Sequence, residues 1–225
     1  MSDKRIKDLA VRQLELWGSG VRIPNREIFK IGLDAPEVVR RLFLCHEVTR
    51  FTYTKYNPEP TFFFDVDQHY FWSNWVGVPD IRELSQKIYE GSREALKFEG
   101  DEFVSHEILG IGSKVKLEGK EILQMRMLDL DIGSDENPME AIEAVGLTPG
   151  VLLETDRSFH YYGFDLLTRD RWRVWMKELI SLKESQQLFD PLYLRMCLDR
   201  GYTALRVFGY EETSKKKSPV IVARV

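Results

Sequence analysis

The sequence predicts an α+β fold, an antiparallel sheet with helices packed on it, and three observations carry that prediction. Short β-branched and aromatic runs with turn signals fill 102–131, stretches of helical period follow Asp-Pro or Pro entries, and from about 121 onward the order is strand, helix, strand, strand, helix, strand. A hydrophobic share of 43% over 225 residues is enough to bury a sizeable core without disulfide or metal staples.

In chain order, Ile6, Leu9, Ala10, Leu14 and Trp17 recur at helical spacing and Gly18 and Gly20 end the run, which predicts a helix over 3–17. A second helix starts after Asp34 as N-cap, with Pro36 in its first turn and Val38, Val39, Leu42 and Phe43 on its buried face. TFFFDVD (61–67) and YFWSNWVGV (70–78), bounded by Pro60 and Pro79, read as strands. Pro79 opens a helix with the stripe Ile81, Leu84, Ile88 and Leu96, running to Gly100. EFVSHEILGIG, SKVKLEG and EILQMRMLDLD then read as short strands, with Gly119-Lys120 as the hairpin turn.

Past Asp131 the pattern gives a turn, a short helix with Pro138 near its N-terminus and a Gly-Leu-Thr-Pro-Gly exit. VLLETD (151–156) and FHYYGFDLL (159–167) form a strand pair, and helices follow over 168–187 and 189–201, the second entered through Asp190-Pro191. YTALRVFGY and SPVIVARV are the last strands, flanking the polar turn EETSKKK. This order is that of an RRM-like sheet over 101–225, preceded by an N-terminal α/β region over 1–100.

Thirty-two basic and thirty-six acidic side chains give a formal charge of −4, so no whole-molecule field draws the chain onto a polyanion, and nucleic-acid binding must use local basic patches. The two cysteines, Cys45 and Cys197, form no CxxC pair; a thiolate zinc ribbon is excluded and a reducing cytoplasm fits. No run is long enough to cross a bilayer, so no membrane partner is expected. Walker A, strand-following GxGxxG, HExxH and GxSxG patterns do not occur, which leaves P-loop, Rossmann, zincin and α/β-hydrolase chemistry without support.

MRMLDLDIGSDENP is the most informative stretch. A strand ending in Asp129-Leu130-Asp131 turns both carboxylates to one face, and paired carboxylates on one rigid strand suit Mg²⁺ or Mn²⁺, which keep room for water and phosphate oxygens. An Asp at a strand end also caps turns, so this pair alone does not decide the chemistry. ETDRSFHYYG presents Thr155, Arg157, Ser158 and His160 around a turn, a grouping able to hold phosphate oxygens through charge-assisted hydrogen bonds. Asp190, between Phe189 and Pro191, has helix capping as its plain explanation.

Order and spacing join these pieces. His160 follows Asp131 by 29 residues and Asp190 follows His160 by 30. The arrangement Leu128-Asp129-Leu130-Asp131, Ser158-Phe159-His160 and Phe189-Asp190 resembles the archaeo-eukaryotic primase superfamily, the primase-polymerases, over about 121–225. YTALRVFGYEETSKKKSP also looks like that family's strand with an LR step and a basic loop. The resemblance implies that Asp129, Asp131 and Asp190 hold two divalent ions, Mg²⁺ or Mn²⁺, which align a 3′-hydroxyl and the leaving pyrophosphate. It implies that Ser158 and His160, with Arg157 and with Arg206 or one of Lys215, Lys216 and Lys217, hold the triphosphate. The implied partners are nucleoside triphosphates, single-stranded or primed DNA or RNA, and a helicase or other replication or mobile-element protein. The zinc-binding residues of some family branches are absent here, which bears on priming as distinct from extension.

Two other activities stay open at this point, a non-catalytic nucleotide- or nucleic-acid-binding module in a larger assembly and a metal-dependent phosphoesterase. TFFFDVDQHYF ends an apolar strand in Asp65 and Asp67 with His69 beyond, but 93 residues from Asp67 to His160 exceed ordinary connections between sheet neighbours. These three, with His46, form a second metal-site candidate. The helix TRDRWRVWMK, with Arg169, Arg171, Arg173 and Lys177 beside Trp172 and Trp175, reads either as a phosphate-backbone contact or as an amphipathic helix with Trp inward.

Overall fold

In a computed structural model that describes residues 26–56, 74–77, 80–95, 108–133, 137–147, 149–182, 188–211 and 216–225, the described residues form one eight-stranded sheet. The strands are β1 (Val48–Tyr56), β2 (Asn74–Gly77), β3 (Ile108–Leu117), β4 (Ile122–Leu130), β5 (Gly150–Glu154), β6 (Phe159–Thr168), β7 (Ala204–Arg206) and β8 (Val220–Arg224). The described helices are α1 (Ala35–Cys45), α2 (Ile81–Ala95), α3 (Pro138–Val145), α4 (Arg169–Ser181) and α5 (Pro191–Arg200). The expected helix over 3–17 and the strand TFFFDVD lie outside the described residues.

Sheet order is β2-β1-β3-β4-β6-β5-β8, with β7 paired to β3 and every pairing antiparallel. In the second half β6 lies between β4 and β5, the split arrangement of an RRM-like sheet. The boundary near residue 100 falls inside this continuous sheet, because β1 pairs with β3 across it. Two segments expected as separate strands, ILGIG and SKVKL, are one strand, β3; neither Gly110 nor Gly112 breaks it. Gly112 instead permits close approach, since a Cβ there would lie 2.3 Å from Thr52 Oγ1.

Strand alternation divides the core in two. Met127, Val151, Tyr162 and Phe164 face α1 and α2, whose Val38, Val39, Leu42, Ile81 and Ile88 are buried. Leu128, Leu130, Leu152 and Tyr161 face α3, α4 and α5 through Ile142, Trp172, Met176, Leu194 and Cys197. The C-terminal helices therefore share one face, as the strand and helix order predicts, and the N-terminal unit covers the other. Asp34 caps α1 by accepting from the Glu37 N–H, and residues 32–35 hydrogen-bond to Pro219 and Ile221, which seals the edge at β8. Phe29 meets Phe164 with ring centroids 4.8 Å apart, fixing this unit to β6.

Two strand or helix limits differ from expectation. The helix expected over 168–187 ends at Ser181, where Leu182 leaves helical geometry. YTALRVFGY contributes only three strand residues, because β7 pairs with β3 over Gly110–Gly112 alone. Within YFWSNWVGV the described residues, Asn74–Gly77, are strand as expected.

Candidate active site

β4 and β6 set the centre of the site. Their register places Asp129 directly opposite His160, and the His160 Nε2 lies 3.7 Å from Asp129 Oδ1. The ring is buried whereas the Asp129 side chain is 48% exposed, so the strand end offers a carboxylate to solvent from above a buried imidazole. Tyr162, two residues on and on the same face, is fully buried, and its hydroxyl has no hydrogen-bond partner among the described residues. Burial pushes the Tyr162 phenol well above its usual range, with Arg206 opposing and Asp129 reinforcing the rise. Nothing in the sequence singled Tyr162 out beyond its alternation with His160.

The β5–β6 turn beside this pair is braced internally. Thr155 Oγ1 accepts from the Ser158 N–H at 3.0 Å and donates to the Ser158 carbonyl at 2.9 Å, while the Thr155 N–H reaches the same carbonyl at 2.8 Å. Ser158 is half-buried and Arg157 projects into solvent. Asp156, which the motif reading passed over, ties the turn to the chain after β7. Its Oδ2 accepts from Arg206 Nη2 at 2.7 Å and its Oδ1 from the Lys217 N–H at 3.2 Å. Arg206 Nη1 also donates to the carbonyls of Phe208 and Lys217. The Arg206 guanidinium is thus buried and engaged as a brace for the turn, a different setting from the open phosphate contact the resemblance implies.

A backbone bond ties the end of β4 to the segment before α5. The Asp131 N–H donates to the Leu188 carbonyl at 2.7 Å, which brings the Leu188–Phe189–Asp190 segment alongside the end of β4. Leu188 and Phe189 are buried and anchor that segment, while Asp131 and Asp190 are exposed. The Asp190 carboxylate caps α5, accepting from the Leu192 N–H at 2.8 Å. The capping role read from Asp190-Pro191 is therefore present, whatever else this carboxylate does.

The oxygen donors of Asp129 and Asp131 suit a hard divalent ion, which takes one or two carboxylates and completes its shell with water and phosphate oxygens. Among the described residues, however, no group of three or more His, Cys, Asp or Glu side chains is gathered closely enough to hold an ion unaided.

Other candidates separate from the centre. His46 is buried in the core, its Nε2 2.9 Å from the Phe164 carbonyl, so it serves no surface metal site; Asp65, Asp67 and His69 lie outside the described residues. On α4, Trp172 and Trp175 are buried whereas Arg169, Arg171 and Lys177 are exposed, the amphipathic arrangement. Lys216 and Lys217 are exposed beside the braced turn, and Lys215 lies outside the described residues. Cys45 and Cys197 are buried free thiols. No described helix is long and apolar enough to cross a membrane.

Neither the curated proteins nor the solved structures contain a match to this chain. A family model, archaeo-eukaryotic primase 1D-like, matches residues 88–219, which run from within α2 to the residue before β8 and include Asp129, Asp131, Ser158, His160 and Asp190. With more than half its length matched, the chain belongs to the archaeo-eukaryotic primase 1D-like family, whose members are primase-like nucleotidyltransferases at superfamily level.

Proposed function

We propose that the protein is a metal-dependent nucleotidyltransferase of the primase-polymerase type, adding nucleotides from nucleoside triphosphates to a nucleic-acid 3′-hydroxyl. The observation that carries this reading is the register of Asp129 against His160, beside a braced turn bearing Ser158 and Arg157 and a strand end bearing Asp131. In this reading Asp129 and Asp131 hold Mg²⁺ or Mn²⁺ together with triphosphate oxygens, and Asp190 joins them from the α5 N-terminus. The ion supplies charge neutralisation for the leaving pyrophosphate. His160 and Ser158 orient the triphosphate, Arg157 and Lys216 approach it from solvent, and the Asp156–Arg206 brace holds the turn at a fixed distance from β4. Catalysis is then mostly positioning, which suits groups borne on paired strands.

The capping of α5 by Asp190 and the lack of a three-ligand cluster among the described residues favour a second reading, a nucleotide- or nucleic-acid-binding module without turnover. Primer extension on a templated DNA duplex, with Mg²⁺ or Mn²⁺ and all eight nucleotides, separates the two. Incorporation by the natural chain that disappears in Asp129→Ala/Asp131→Ala is the expected result. Absence of incorporation with nucleotide binding equal in both proteins overturns the enzyme reading in favour of the binding module. Mononucleotide release from DNA with Mn²⁺ overturns it in favour of a phosphoesterase.

A further inference from the structure

We infer that the sheet face carrying α4 and α5, the reverse of the Asp129–His160 face, is a contact surface for a nucleic-acid phosphate backbone, built from Arg50, Lys116, Lys114, Arg169 and Arg200. Arg50 on β1 stands directly opposite Lys116 on β3, and Lys114 lies two residues along β3 on the same face. Lys114 in turn is opposite Gln124, which is opposite Leu167, so the row crosses β4 and β6 and ends two residues before Arg169 at the start of α4. Arg200 closes the group from the end of α5. Its Cζ lies 5.1 Å and the Lys114 Nζ 4.6 Å from the Tyr202 ring centroid, two cations on one aromatic ring.

Like charges directly opposite on neighbouring strands oppose folding, and here the sequence places such a pair within a chain of net charge −4. The Lys114 ammonium is held below its usual range by burial and then by the charges of Arg169 and Arg200, so the cations act on one another. Neighbouring carboxylates, Glu118 and Glu121 at the hairpin and Asp170 and Asp199 on the helices, are all exposed. Crossing three strand spacings from β1 to β6, the group spans roughly 15 Å, about four base-pair steps of a duplex at about 3.4 Å each. Gln124 and Leu167 are buried between them, so the cations group on β1 and β3 with Arg169 and Arg200 at their border, and a cationic group of this reach matches a polyanion of regular spacing. Because the surface lies on the opposite face, it adds a hold on nucleic acid that does not depend on turnover.

The test uses the full chain and a fluorescein-labelled DNA duplex with a single-stranded overhang, followed by anisotropy from 50 to 200 mM salt. Neutralising Arg50, Lys114 and Lys116 to Gln is expected to flatten the log–log salt slope by about 2–3 and to weaken binding by tens-fold or more at 0.1 M salt. Asp129→Ala/Asp131→Ala should leave that slope unchanged while abolishing incorporation, which keeps failure of this surface distinct from failure of the catalytic reading. Thermal unfolding of the triple variant should come no earlier than that of the natural chain, since repulsion is removed; the single Lys116→Glu variant, expected to weaken DNA binding further than Lys116→Gln, serves as the second check. An unchanged slope in the triple variant, or no DNA binding by the natural chain, overturns the inference. Labelled polyglutamate bound in place of DNA, and lost in the triple variant, overturns it in favour of an acidic protein partner.

Discussion

The guanidinium of Arg206 meets the carboxylate of Asp156 at 2.7 Å, and this contact fastens the chain after β7 to the turn that carries Ser158. Both groups are largely withdrawn from water, so removing one leaves the other with a desolvation cost that it had been matched against. Arg206→Gln is expected to lower stability by about 3 kcal/mol in urea unfolding and to weaken nucleoside triphosphate binding as the turn loosens. Unchanged urea midpoints would count against the brace.

Gly209 tests the same fastening from the backbone side. A Cβ at this position would lie 2.3 Å from the Lys217 carbonyl carbon, and that atom cannot swing aside as a side-chain end would. Gly209→Ala should therefore displace Lys217 from both Arg206 and Asp156, at a cost of about 1–3 kcal/mol by thermal or urea unfolding. A variant as stable as the natural chain would show that the approach relaxes freely.

Asp190 separates capping from charge. Asp190→Asn keeps a side-chain oxygen for the Leu192 N–H, whereas Asp190→Ala loses it and should cost about 1 kcal/mol. If this carboxylate serves the proposed reaction, both variants lose primer extension although only the alanine variant loses stability. Full activity in the asparagine variant would assign Asp190 to capping alone.

His46 makes stability depend on pH. Burial lowers its pKa from 6.5 to about 4, against the partly compensating hydrogen bond to the Phe164 carbonyl, so the folded state holds the neutral ring with Nε2–H as donor. The unfolded chain takes up this proton first as pH falls, so the contribution is complete above about 6.5 and is lost between 6.5 and about 4, up to about 3 kcal/mol. Glu37 follows in the adjacent acid window. Burial opposes its ionisation, yet hydrogen bonds from Arg40 and Arg41 hold its pKa at about 2, and its contribution falls away between 4.5 and about 2. Urea titrations at stepped pH should show His46→Gln lacking the upper segment of the slope; an unaltered slope would exclude His46 as its source.

Local signals in the chain were sufficient for much of this fold. Asp34, Asn137, Thr168 and Asp190 each accept from a backbone N–H at a helix start, and the Asp34 and Asp190 caps were readable because Pro follows within two residues. Gly119 has φ 65 in the hairpin turn expected at Gly119-Lys120. The strand order, the spacing of the motifs and the family resemblance pointed to neighbouring strands for Asp129 and His160, and β4 and β6 are neighbours. What stayed illegible depends on long-range partners. Two glycines in β3 look like a break until Thr52 and β7 are seen packed against them. Arg206 reads as a free cation until Asp156, fifty residues earlier, is placed beside it. Lys116 gives no sign in sequence that Arg50 will stand across from it.

The shared edge of β3 carries a consequence for how the chain is made. β4 pairs with β3 only over Lys114–Lys116, and the edge beyond, Gly110–Gly112, is taken by β7. During synthesis those backbone groups stand open until a strand roughly ninety residues downstream has left the ribosome, and closing so long a loop is slow. For that interval the half-made sheet presents an unpaired edge able to template another chain. Fragments ending before Ala204 are accordingly expected to aggregate, and full-length protein to be recovered best where translation outruns self-association.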